Sequence, residues 1–147
     1  MIQRYKYFIV LLVIFLFGCN SSVQQLSQDW ESVYNHCTDL ELGNEADFVT
    51  TSWFDELDLE TQKQVALYVY QTNFYACHSQ KTVDFRSQLE KLGAKEELKY
   101  YQGIGVFDTP NTSLVQGVDK EVLNQLIEAQ PKNLNLRHIG IQLGFRN

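Results

Sequence analysis

Three cysteines and three histidines carry most of the potential chemistry in this 147-residue chain. Cys19 closes the most apolar run in the sequence, where a thiol is a buried side chain, half of a disulfide or an attachment point. Cys37 and Cys77 each stand beside a histidine, as "HC" at 36–37 and "CH" at 77–78. Such a quartet offers two chemistries. Deprotonated, it has the ligand set of a zinc site; oxidised, its two sulfurs form one cross-link. Neighbours on a helix point ~100° apart, so both members of each pair do not easily reach one ion. No other constellation converges. There is no G-x-S-x-G elbow for acyl transfer. No acid sits in an apolar setting that would raise its pKa. "GIG" at 103–105 lacks the third glycine and the helix start of a phosphate loop. The residues point to no metal, no cofactor and no catalytic group, and so to a binding protein rather than an enzyme.

The compartment is read from the first twenty residues. The chain opens "MIQRYK", with Arg4 and Lys6 and no acid before Asp29, and continues "YFIVLLVIFLF" from Tyr7 to Phe17 without a charge. A positive start followed by an apolar stretch of this length is a secretory signal pattern. As a helix the stretch covers roughly 16 Å, about half of a ~30 Å hydrocarbon core, so an uncleaved anchor is the lesser alternative. The four residues "LFGC" at 16–19 resemble the lipobox of bacterial lipoproteins, with Leu16, Gly18 and Cys19 on the motif positions. That resemblance covers residues 1–20 only. It implies transfer of diacylglycerol to the Cys19 sulfur, cleavage after Gly18 and acylation of the new amino terminus. Several acyl chains, at ~0.8 kcal/mol per buried methylene, make a stable anchor. Asn20, where aspartate would imply retention in the inner membrane, implies the outer membrane, facing the periplasm. The resulting division is a signal peptide at 1–18, a lipidated tether at 19–22 and a single globular periplasmic domain at 23–147. In an oxidising compartment Cys37 and Cys77 are expected to form a disulfide.

Composition narrows the partners. Removing residues 1–18 of the 147 leaves 129, enough for one core without help from a metal. Arg4 and Lys6 leave with the signal, so 10 basic residues face 18 acidic ones, a net charge of −8. That balance excludes a basic stripe for nucleic acid and a polybasic hold on anionic lipid. Acids crowd between Asp39 and Glu60, while the residues after Glu128 carry only Lys132, Arg137 and Arg146. The plain reading of this asymmetry is a solvated acidic face and an ordinary tail.

The elements that position these residues follow from apolar spacing. Val23, Leu26, Trp30, Val33, Cys37 and Leu40 alternate steps of three and four, one face of a helix capped by Ser22 and stopped by Gly43. Ser52 and Asp58 are candidate caps for a short turn and a longer helix, which carries Leu59, Ala66, Tyr70, Phe74 and Cys77 on one face. A third helix fits Thr82–Leu92, with Gly93 as its stop, and a fourth starts at Asp119 and ends before Pro131. "YQGIGVF" reads as a short strand, and Ile139, Ile141, Leu143 and Phe145 alternate as a strand should. The expected fold is therefore α+β and predominantly helical. It has about four helices, a small antiparallel sheet from the C-terminal third and one inter-helix disulfide.

The plan of lipobox, short tether and compact helical domain with one cysteine pair is similar to that of the pilotin lipoproteins that escort secretin subunits. The likeness implies an outer-membrane-anchored assembly factor binding a protein of the envelope, and it transfers no site residue. A periplasmic inhibitor or immunity-type lipoprotein is the alternative class, and a small envelope enzyme the third. Tyr68, Tyr70, Phe74, Tyr75, Tyr100, Tyr101 and Phe107 supply core and, in part, a recognition surface. The expected partner site is the free edge of the C-terminal strand, with Arg137, Gln142 and Arg146 choosing the partner.

Overall fold

In the computed structural model, residues 22–145 are described in full and residues 2–21 by their helical backbone alone. Two long helices organise the chain: α1 over Ile2–Leu42 and α3 over Leu59–Leu92. Short elements fill the rest. They are α2 (Ser52–Asp55), α4 (Lys95–Gly103), a 3-10 turn (Thr112–Val115), α5 (Lys120–Glu128) and α6 (Leu136–Gln142).

The termini of these elements have clear local causes. Asp58 starts α3, accepting the backbone N–H groups of Glu60 and Thr61 at 3.0 and 3.1 Å and the Thr61 hydroxyl at 2.6 Å. The Thr61 bonds hold the Asp58 carboxyl below its ordinary pKa. No glycine or proline interrupts the chain from Leu59 to Leu92, so the two helices expected there are one. Gly93 ends it in the left-handed region at φ 66°, which a residue without a Cβ reaches at little cost. Asp119 and Asn135 cap α5 and α6 through Glu121, Val122 and His138. Thr51 rather than Ser52 caps α2, and Ser22 lies inside α1 instead of starting it.

Two compact units result, one from residues 1–33 and 81–107, the other from 34–80 and 108–147. In the first, Trp30 stacks on Phe85 at 5.6 Å, and Tyr101 meets Phe85 edge-on at 4.9 Å. The Trp30 indole N–H donates to the buried Thr82 hydroxyl at 3.1 Å, which satisfies both polar groups inside the ring cluster. In the second, Phe48, Phe54, Val65, Ala66, Val69, Leu123, Leu126, Leu134 and Ile139 form the core. Spacing along the long helix anticipated Ala66. It did not anticipate Phe48, which lies in a stretch without regular structure.

The expected sheet does not exist: among the described residues there is no strand. In "YQGIGVF", α4 continues through Gly103, and the Val106 N–H closes back on the Tyr101 carbonyl at 3.0 Å around Gly105. The C-terminal alternation is also helical. Ile139 and Leu143, four apart, satisfy either period, and the Asn135 cap selects the helix. Ile139 is then buried while Ile141 is 59% exposed, whereas a strand would bury both. Ile139→Ala should therefore cost about 2–5 kcal/mol of stability. Ile141→Ala should cost less than ~0.5 kcal/mol. Equal losses in denaturant titrations would restore the strand.

Candidate functional site

The C-terminal third meets the segment that follows α1, and carboxamide side chains make the junction. Residues 44–51 have no regular secondary structure. Gln142 in α6 binds both peptide groups of Phe48: its oxygen accepts the Phe48 N–H at 2.6 Å and its nitrogen donates to the Phe48 carbonyl at 2.9 Å. Gln130 does the same for Val49, at 3.0 and 2.8 Å. Asn44 donates to the carbonyls of Lys132 and Asn133, and Asn135 to that of Leu42. His138 Nε2 lies 3.0 Å from an Asp47 carboxylate oxygen.

Of the residues expected to choose a partner, Arg137 is exposed on α6 and Gln142 is engaged with the Phe48 peptide groups. Arg146 and Cys19 lie outside the described side chains. With no strand there is no free edge, and that route to a partner is withdrawn. A different surface appears on the same face. The Asn135 bond to the Leu42 carbonyl brings Leu42, 66% exposed, close to Leu136, 40% exposed, with Arg137 next in sequence. Apolar side chains left in water beside a charged group suit contact with a protein. Leu134 and Leu136 are both apolar, and nothing in the sequence showed that only Leu134 is buried.

Cys37 and Cys77 are joined in a disulfide with Cα atoms 6.0 Å apart. This settles the chemistry of the quartet, because sulfurs bonded to each other offer no thiolate to zinc. The histidines differ: His36 is exposed and His78 is buried. The rings of Tyr34, Phe74 and Tyr75 surround His78 at centroid distances of 5.3, 5.0 and 5.6 Å. Burial lowers its pKa and keeps the imidazole neutral near pH 7. Close by in sequence, the Tyr70 hydroxyl donates to Glu41 at 3.0 Å. Burial first, then the Glu41 charge, raises the phenol pKa, so Tyr70 stays protonated.

A cleft of about 780 Å³ borders the 3-10 turn and α5, with Tyr68, Val115, Val118, Lys120, Leu123 and Asn124 in its walls. Its described lining carries neither carboxylate nor imidazole. Among the described residues no His, Cys, Asp and Glu side chains gather as metal ligands, and no helix is long and apolar enough to cross a membrane.

The 40-residue separation of the bridged cysteines makes the disulfide worth on the order of 4 kcal/mol by loop-closure entropy. Reduction should lower the melting temperature, and free-thiol titration should find none of these two sulfurs before reductant and both after unfolding in it. The His78 effect has a definite sign. Its folded-state pKa lies below the unfolded value, so its stabilising contribution is full above pH ~6.5 and lost as pH falls through the folded value. The drop in melting temperature between pH 7 and pH 5 should accordingly be smaller in His78→Gln than in the parent chain.

No family model matches this chain, and comparison with curated proteins and with solved structures likewise returns no match.

Proposed function

We propose that this protein is a lipid-anchored accessory factor of the bacterial outer membrane, held at Cys19 and binding a protein partner in the periplasm, in the manner of a pilotin. The observation that carries the reading is "LFGC" at the end of a charge-free run behind a positive start. Support comes from the Cys37–Cys77 disulfide, a bond that persists in oxidising compartments such as the periplasm. The acidic balance turns the chain away from nucleic acid and anionic lipid surfaces and toward a protein. Leu42 and Leu136, with Arg137 beside them, are the surface on which that partner would rest.

The test is radiolabelled palmitate incorporation together with capture from a membrane extract. Cys19→Ser should abolish labelling and leave an uncleaved precursor in the inner membrane. A cleaved, soluble Cys19→Ser product would overturn the anchor. Leu42→Glu with Leu136→Glu should lose a captured outer-membrane assembly protein while the melting temperature moves by no more than a few degrees, since Leu42 is largely exposed and Leu136 partly so. Capture of a soluble toxin or hydrolase instead would replace the assembly role with an inhibitory one.

A further inference from the structure

One concavity in the unit of residues 1–33 and 81–107 is not used by its aromatic core. It is a groove of about 400 Å³ walled by Leu26 of α1 and Leu92 of α3, with Ser22, Gln25, Gln88 and Lys91 along its sides. Its surface is mostly carbon, and its size falls within the ~300–1,000 Å³ of sites that enclose a small ligand. Leu92 is 48% exposed at the rim, immediately before the turn at Gly93, so the groove leaves apolar surface in water at its mouth.

The position of the groove along the chain indicates what fills it. Ser22 is part of its lining, and Cys19 stands three residues earlier. Three residues span at most ~11 Å when fully extended and ~4.5 Å as helix. Any group carried on the Cys19 sulfur is thus held about one nanometre or less from Ser22, and linkage this short gives effective concentrations on the order of millimolar. The chemistry agrees. An acyl chain gains ~0.8 kcal/mol for each methylene it buries, and leucine walls supply that burial. The Lys91 ammonium at the side is a donor for the ester oxygens of a glyceryl linkage. A concave slot suits a chain, whereas seating a whole face on a bilayer calls for a convex apolar surface.

We propose that this groove seats one acyl chain of the lipid carried by Cys19, between Leu26 and Leu92. The inference rests on the lipoprotein reading above and adds to it. The anchor is shared between bilayer and protein, so one chain is shielded whenever the molecule is away from a membrane.

The experiment uses the full chain in growing cells fed palmitate bearing a diazirine, irradiated, purified and digested for mass spectrometry. The expected result is peptides containing Leu26 or Leu92 joined through lipid to the Cys19 peptide. Leu92→Glu, a change at an exposed side chain that folding tolerates, should lose this product while labelling of Cys19 and the melting temperature stay as in the parent. Three results overturn the proposal. Cross-links confined to free phospholipid would place the chain in the bilayer. Cross-links from the groove to another protein, or products that persist in Leu92→Glu, would give the groove another occupant or none. A Cys19 peptide without any label would remove the lipid, and with it the lipoprotein reading as well.

Discussion

Phe48 must be buried for the second unit to have a core, yet it lies in a segment with neither helix nor sheet to receive its peptide groups. A buried backbone N–H or carbonyl left without a partner costs about 1–3 kcal/mol, so the segment can fold inward only if something else supplies the bonds. Gln142 supplies them for Phe48, binding its N–H and its carbonyl with a single planar carboxamide, and Gln130 binds the exposed Val49 beside it in the same way. A glutamine used in this way reproduces one rung of a β-ladder without a strand. The C-terminal third is thereby attached to the segment after α1, and the surface around Leu42 and Leu136 depends on that attachment.

The disulfide and the clasp divide the work between chain entropy and local geometry. Cys37–Cys77 restricts the unfolded ensemble across 40 residues, an effect insensitive to the side chains around it. The carboxamide bonds act only in the folded state and only at close to their observed distances. Asn73 extends the same device: its nitrogen donates to the Pro131 carbonyl and its oxygen accepts the Leu134 N–H, which fixes the loop between α5 and α6. The short helices α5 and α6 need such fasteners, because helices of seven to nine residues have little stability of their own.

The aromatic surroundings of the disulfide give the same unit a chemical character. A neutral imidazole and a phenol that keeps its proton sit among rings, with Glu41 accepting from Tyr70. These groups are tuned by burial, and their partners are structural ones. Perturbed pKa values mark functional sites only when the groups converge on accessible space. Here the His78 imidazole faces the rings of Tyr34, Phe74 and Tyr75, and the Tyr70 hydroxyl faces Glu41.

The sequence by itself determined the helical periodicities of α1, α3 and α5, the caps at Asp58 and Asp119, the stop at Gly93 and the pairing of the two cysteines. The periodicities, caps and stop follow from local spacing or from the types of a few neighbouring residues, and the cysteine pairing from an even pair in an oxidising compartment. It also carried the lipobox resemblance, which is a pattern along the chain and needs no fold. The tertiary structure decided what local pattern leaves open. Ile139 and Leu143 fit a strand as well as a helix, and the choice rested on the Asn135 cap and on which residues the core could accept. The use of Gln130 and Gln142 as backbone partners of Val49 and Phe48, and the Asn135 bond to the Leu42 carbonyl, join residues about 80 to 94 positions apart. Periodicity reports which way a side chain points within its own element. It is silent on contacts between distant segments, and those contacts build both candidate surfaces of this protein.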